Sequence, residues 1–317
     1  MQTLAANETK PNELVPRPVQ FVVYASPKSG TTWVQRLLSA HPDIYCGESR
    51  PFGRYFNPAN PSAPYVTLDA FAEILSEYHL AALPPGVDRT AFTAALSDDL
   101  WRQVARTTIA QTGKRLYGEK ITPPRGRAAA VLERLSAIDS DLALIHLVRD
   151  PRDVVVSGFV QQVGLRQESP SVDEPEEWSA GTDLRRIPDD RFEFMLELWR
   201  STVEAAVEVG ARFPNRLTVR YEDLLDRPRD EFKRILERIG ASSTPETVAQ
   251  CVDKASFERL SGGRERGVED ASSFFRKGVA GDWRNWLTRD QAKRAVEVAG
   301  VWLQKFGYDL DAAPYKP

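Results

Sequence analysis

Apolar residues fall into two alternating kinds of run along this chain. Phe21–Ala25, Leu116–Lys120, Leu142–Val148 and Leu217–Arg220 are short and of strand length. Between them apolar positions recur every three or four residues, over about Thr32–Ala40, Leu68–Leu80, Asp98–Gln111, Arg127–Ile138, Arg191–Val209, Glu231–Ile239 and Arg289–Phe306. That spacing predicts helices with one buried face. Phe21–Ala25 and Leu142–Val148 are apolar nearly throughout, as expected for strands covered on both faces. Strands alternating with helices predict an α/β fold, a single domain with a central, mostly parallel β-sheet flanked by helices.

Punctuation between the runs refines the picture. Asp150 followed by Pro151 marks a helix start, with a capping carboxylate and a proline at the first position. Gly240 ends the helix over Glu231–Ile239. Arg50–Pro64 carries four prolines with Phe52, Tyr55 and Phe56, and reads as irregular. Gln167–Asp190 is polar, acidic and aperiodic, a long loop that is either functional or mobile. Ser261–Phe275 is rich in glycine and charge and reads as a loop. Residues 1–18 are polar with three prolines, expected as a flexible tail ahead of a domain at 19–317.

The chain has 317 residues, enough for a large core, and a net charge of −3. That balance argues against a nucleic-acid or general polyanion partner, so basic clusters are local sites. Cys46 and Cys251 are the only cysteines and make no disulfide framework, which suits a reducing compartment. No apolar run has the length of a membrane span or the layout of a signal peptide. A cytoplasmic protein without a membrane partner is expected. No His/Cys cluster has metal-ligand spacing, and no metal is expected.

The strongest local chemistry is Pro27-Lys28-Ser29-Gly30-Thr31-Thr32-Trp33, between the first strand and the first helix. A tight turn there aims free backbone N–H groups of the helix start at one point, where the dipole favours an anion. Lys28 adds a full charge, and small hydroxyl residues add donors without bulk. This is a phosphate-binding loop. It is not the nucleotide-triphosphatase form, because Lys28 precedes Gly30 and no G-K-[ST] follows.

P-K-S-G-T-T-W closely resembles the 5′-phosphosulfate loop of sulfotransferases, enzymes that use 3′-phosphoadenosine 5′-phosphosulfate (PAPS). The resemblance implies that Lys28 contacts the phosphosulfate, with Ser29, Gly30, Thr31 and Thr32 around it, and that Trp33 packs against the adenine. Downstream, Arg149-Asp150-Pro151-Arg152-Asp153 and Ser157 resemble the family's 3′-phosphate block, where an Arg and a Ser eight positions apart bind that group. A bidentate guanidinium and a hydroxyl suit a dianion. Asp153 is expected to serve helix capping. Phe275-Arg276-Lys277-Gly278-Val279-Ala280-Gly281-Asp282-Trp283 resembles the R-K-G-x-x-G-D-W segment, implying that Arg276, Lys277 and the Gly278 backbone complete the 3′-phosphate site. Weaker matches are Tyr221-Glu222-Asp223, whose Tyr lies near the adenine in the family, and Ala255-Ser256-Phe257, which flanks the base. Ala255 replaces a family Thr.

The resemblance implies PAPS as co-substrate, adenosine 3′,5′-bisphosphate (PAP) as product, and a small-molecule or saccharide acceptor carrying a hydroxyl or amine. In-line transfer needs charge stabilisation, assigned to Lys28 and Lys120, and removal of a proton. The family's K-T-H segment corresponds to Lys120-Ile121-Thr122, so the basic His is absent. Glu48 is the candidate base, since other sulfotransferases place a catalytic Glu after the first helix. A surface pairing with Arg50 is the plain alternative for it. Glu119 is next, but strand alternation turns it away from Lys120. His41 reads as a cap, His146 as core, and His79 has no motif around it. Two other functions stand beside the transferase: a protein that binds PAPS or PAP without catalysis, and an ATP-dependent kinase. The dimer motif of cytosolic relatives is missing before Arg276, so no oligomeric state follows.

Overall fold

The computed structural model describes residues 18–48, 68–80, 86–168 and 186–310, with no side-chain detail at 78–80 and 162–168. The expected tail, apart from its last residue, and the Arg50–Pro64 segment lie outside the described residues.

The elements run β1 Phe21–Tyr24, α1 Thr31–Ser39, β2 Ile44–Gly47, α2 Leu68–Leu80, α3 Arg89–Thr112, β3 Leu116–Ile121, α4 Ala128–Ile138, β4 Ala143–Val148, α5 Pro151–Glu168, α6 Asp189–Glu208, β5 Arg216–Arg220, α7 Tyr221–Asp226, α8 Pro228–Arg238, α9 Pro245–Lys254, α10 Phe257–Leu260 and α11 Arg289–Lys305. The five strands form one sheet in the order β2-β3-β1-β4-β5. All four strand pairings are parallel.

The apolar strands explain the layering. Every residue of β1 and β4 is buried. Side chains alternate across the sheet. Phe21 and Val23 face a core with Val34 and Leu37 of α1 and Phe232 and Ile235 of α8. Val22 and Tyr24 face the opposite core, with Trp101 of α3 and Leu132 and Leu135 of α4. A third core joins Val154, Val155 and Phe159 of α5 to Trp199 of α6 and Leu303 of α11.

Several elements differ from the sequence reading. β2 is an additional edge strand whose four residues include one exposed position and so lack the continuous apolar run of β1, and α9 is an additional helix. The Asp98–Gln111 helix begins nine residues earlier, at Arg89, because Asp88 caps it by accepting from the backbone N–H of Thr90 and Ala91. Most of the expected Gln167–Asp190 loop lies outside the described residues. α5 runs through Glu168 and α6 starts at Asp189, so the helices take both ends of Gln167–Asp190.

Parallel strands gather all their carboxyl ends on one edge, where open α/β sheets bind ligands. Lys28 follows β1, Glu48 follows β2, Lys120 is near the end of β3, Arg149 follows β4 and Tyr221 follows β5. All five residues line a single cavity of about 610 Å³.

Candidate active site

The loop after β1 is held by a backbone bond from Ser29 N–H to the Ser26 carbonyl at 3.3 Å. Lys28 takes a left-handed φ of 68°. For a residue with a Cβ this costs on the order of 1 kcal/mol, a local strain of the kind found at functional turns. Gly30, at φ 92°, is the N-cap of α1, and no side chain among the described residues caps that helix. A Cβ at Gly30 would meet Tyr221 Cδ2 at 2.5 Å, so only glycine lets the loop lie against the tyrosine ring. The first N–H groups of α1 are thus left for an anion, as a phosphate-binding loop requires.

Cations converge on this opening. Lys28, Lys120, Arg149, Arg276 and Lys277 all line the cavity. Burial, then the charges of Arg149, Arg276 and Lys120, push the Lys28 amine down to about 7. Arg149 is buried and spans two loops, donating to the Lys28 carbonyl at 3.1 Å and the Val279 carbonyl at 3.3 Å. Its Nε and the Ser29 Oγ are buried without a hydrogen-bond partner among the described residues. Crowded cations fit a polyanion such as a bisphosphate, which would relieve the repulsion.

Lys120 donates to Thr32 Oγ1 at 3.2 Å and pairs with Glu48 Oε1 at 2.6 Å. Glu48 is therefore a cavity carboxylate paired with Lys120, while Arg50 lies outside the described residues. Thr122 lines the same wall where the family places its His. Glu119 faces away, buried, and accepts from the Tyr117 hydroxyl and from Trp101 Nε1. The His41 ring accepts the Asp43 N–H at 3.1 Å and sits 2.9 Å from the Ser242 carbonyl, so it ties the chain after α1 to the Ser242 segment rather than capping the helix. His146 is buried in β4, and burial pushes it down to about 4. Neither histidine lines the cavity, and the side chain of His79 lies outside the described ones.

Around the rest of the cavity, Trp33 Nε1 donates to the Ala255 carbonyl at 2.9 Å, and the ring packs edge-on to Tyr221. Phe257 lies under Gly278, whose φ is 67°. A Cβ there would meet Phe257 Cδ2 at 2.5 Å. Thr31, Thr32, Ser157 and Phe257 complete the wall. Of the sequence-selected residues, Ser29 alone is not on the lining, being buried behind it.

A further expectation is corrected. Asp153 does not cap its helix. It accepts from the Gly281 N–H at 2.6 Å and the Trp283 N–H at 2.9 Å, and lies 3.9 Å from Arg149. Asp150 caps instead, accepting from the Arg152 N–H. Asp153 thus clamps the Arg276–Trp283 segment onto α5. Asp282, not selected from the sequence, accepts from Arg276 Nη2 and Lys277 Nζ, both at 2.7 Å. Burial would raise its carboxyl, but hydrogen bonds from Lys277, Arg276 and Asn285 hold it down at about 2. Its signal was an acid close after two adjacent cations. Gln161, Arg266 and Phe274 also line the cavity and carried no motif.

Known proteins share both the family pattern and the fold. A family model described as "Sulfotransferase domain" matches residues 119–307, more than half of the chain. The loop at Lys28 lies ahead of that match. Sulfotransferase 1A1 of Rattus norvegicus is 25% identical over 289 residues, covering 87% of this chain and 82% of the relative. Cytosolic sulfotransferase 8 of Arabidopsis thaliana is 24% identical over 311 residues, covering 93% and 80%. Among solved structures, a mouse sulfotransferase complexed with PAP aligns with a TM-score of 0.55 at 17% identity, covering 92% of this chain and 89% of that one, a likeness of fold.

Proposed function

The chain belongs to the sulfotransferase domain family, and from that premise we propose that it moves a sulfuryl group from PAPS to a hydroxyl or amine of a small-molecule or saccharide acceptor. The acceptor heteroatom attacks sulfur, the bond from sulfur to the bridging phosphate oxygen breaks, and PAP leaves. Lys28 and Lys120 face the developing charge on the sulfuryl and leaving oxygens. Ser29, Gly30, Thr31 and Thr32 shape the 5′ end, and Trp33, Tyr221 and Phe257 the adenine end. Arg149, Ser157, Arg276, Lys277 and the Gly278 backbone take the 3′-phosphate. Glu48 receives the acceptor proton, with Lys120 keeping its carboxylate in the cavity at 2.6 Å. No metal enters this scheme. A cytoplasmic setting agrees with two free, buried cysteines and with cytosolic sulfotransferases among the relatives.

The observation that carries this reading is the gathering of three separated sequence blocks, at Lys28, Arg149 and Arg276, on one cavity with more cations than its carboxylates neutralise. Calorimetry with PAP and with AMP tests it. PAP is expected to bind ~30-fold or more tightly, because the 3′-phosphate meets buried charged donors. Equal affinity for the two nucleotides would remove the 3′-phosphate assignment.

A further inference from the structure

Among the described residues, no acid holds Lys28. Its amine donates to Gln161 Oε1 at 2.6 Å and lies 4.7 Å from the centroid of the Phe274 ring. Gln161 is on α5, four residues and one turn beyond Ser157, so the two share the face that lines the cavity. Gly158 between them makes room for Met195 and lies beside the lysine stem. A Cβ there would meet Met195 Cε at 2.3 Å and Lys28 Cγ at 3.7 Å. Lys28 keeps its left-handed backbone while its amine reaches Gln161.

The charges facing this amine are Arg149 from the end of β4, Arg276 from the loop before α11, and Lys120 from β3. All are positive, and each favours the neutral amine. An apolar residue at 161 would leave the ammonium desolvated among like charges. A carboxylate would pair with it and compete with an incoming anion. An amide carbonyl does neither. It supports the charged form with its dipole, and it is a weaker acceptor than a sulfuryl or phosphate oxygen.

We infer that Gln161 is a positioning residue for Lys28, holding its ammonium charged and aimed into the cavity until an oxygen of the donor takes over that hydrogen bond. The inference rests on the PAPS reading above and adds to it the residue that readies the lysine.

Binding of PAP, measured by calorimetry from about pH 5 to pH 9, tests it without an acceptor, because a proton that must be taken up on binding makes affinity depend on pH. In the wild-type protein affinity is expected to fall as pH rises above about 7, since Lys28 must then be protonated first. In Gln161→Leu the fall starts at lower pH, and in the isosteric Gln161→Glu at higher pH. At about pH 8, Gln161→Leu loses roughly tenfold in affinity relative to its own acid plateau beyond the wild-type loss, the change expected when the onset of the fall moves down by about one pH unit. Lys28→Met removes the fall altogether. An unchanged onset in both Gln161 variants, or a fall that persists in Lys28→Met, overturns the role of Gln161. Failure of the wild-type protein to bind PAP at any pH removes the donor reading, and the role of Gln161 with it.

Discussion

The two ends of the cavity hold their cations differently. At the loop after β1, Lys28 rests on a neutral amide and an aromatic ring. At the far end, Arg276 and Lys277 share Asp282 at 2.7 Å each, Arg276 also reaches Glu269, and Asp153 clamps the backbone beneath them. A cation paired with a buried acid keeps its charge and its place, so it suits selection of a fixed group such as a phosphate. A cation without an acid is free to follow charge as it moves, and its protonation responds to its surroundings. Lys120 stands between these cases, paired with a carboxylate that also serves as the candidate base. On the proposed function, binding and chemistry would be separable along one cavity by the partners of its cations.

The separation breaks most sharply at Glu48. Glu48→Gln is expected to lower turnover ~10²-fold or more, the usual range for loss of a general base. PAP affinity should not weaken, because the substitution removes a negative charge beside Lys120. Steady-state turnover measured alongside PAP calorimetry checks both halves. Turnover close to wild type would return Glu48 to a purely structural partner of Lys120.

Arg149 addresses the selective end. Arg149→Ala should weaken PAP about 30- to 100-fold and AMP far less, the loss of a charge-assisted contact at a buried site being about 2–3 kcal/mol. An equal loss for both nucleotides would mean that Arg149 serves as the brace between the Lys28 and Val279 carbonyls rather than as a phosphate ligand.

A smaller effect is expected for Asp282→Ala. It strips Arg276 and Lys277 of their shared acid and should cost about 2 kcal/mol of stability by urea unfolding near neutral pH. PAP supplies a substitute anion, so it should stabilise this variant more than the wild-type protein. A carboxyl held at about 2 in the fold against an ordinary 3.8 stabilises fully above the ordinary value and loses that contribution as pH falls through the folded one. The gap between variant and wild type should therefore narrow as pH drops from about 4 to about 2. A constant gap would assign the loss to packing.

Much of this was legible in the chain. Phe21–Ala25 and Leu142–Val148 announced buried parallel strands because both faces demand apolar residues. The edge strand at Ile44–Gly47 did not, because one of its positions is exposed and its apolar run is interrupted. Lys28, Arg149, Ser157, Arg276 and Lys277, which line one cavity, could be selected in advance because each belongs to a block with particular residue types at short spacing, and such spacing survives in one dimension. The misreading of Asp153 has the same root. Its local setting suggested a cap, while its partners, Gly281 and Trp283, are more than a hundred residues away.

What the sequence determined by itself is the alternation of strands and helices, the tight glycine turn with its uncapped helix start, and the spacing within each basic block. Each follows from local spacing and residue type. Tertiary structure alone decided that five strand ends from Lys28 to Tyr221 meet on one cavity, that Asp153 clamps the backbone at Gly281 and Trp283, and that Gln161 holds Lys28. Those pairings depend on strand order in the sheet and on which helix face turns inward, and no short window of sequence contains either.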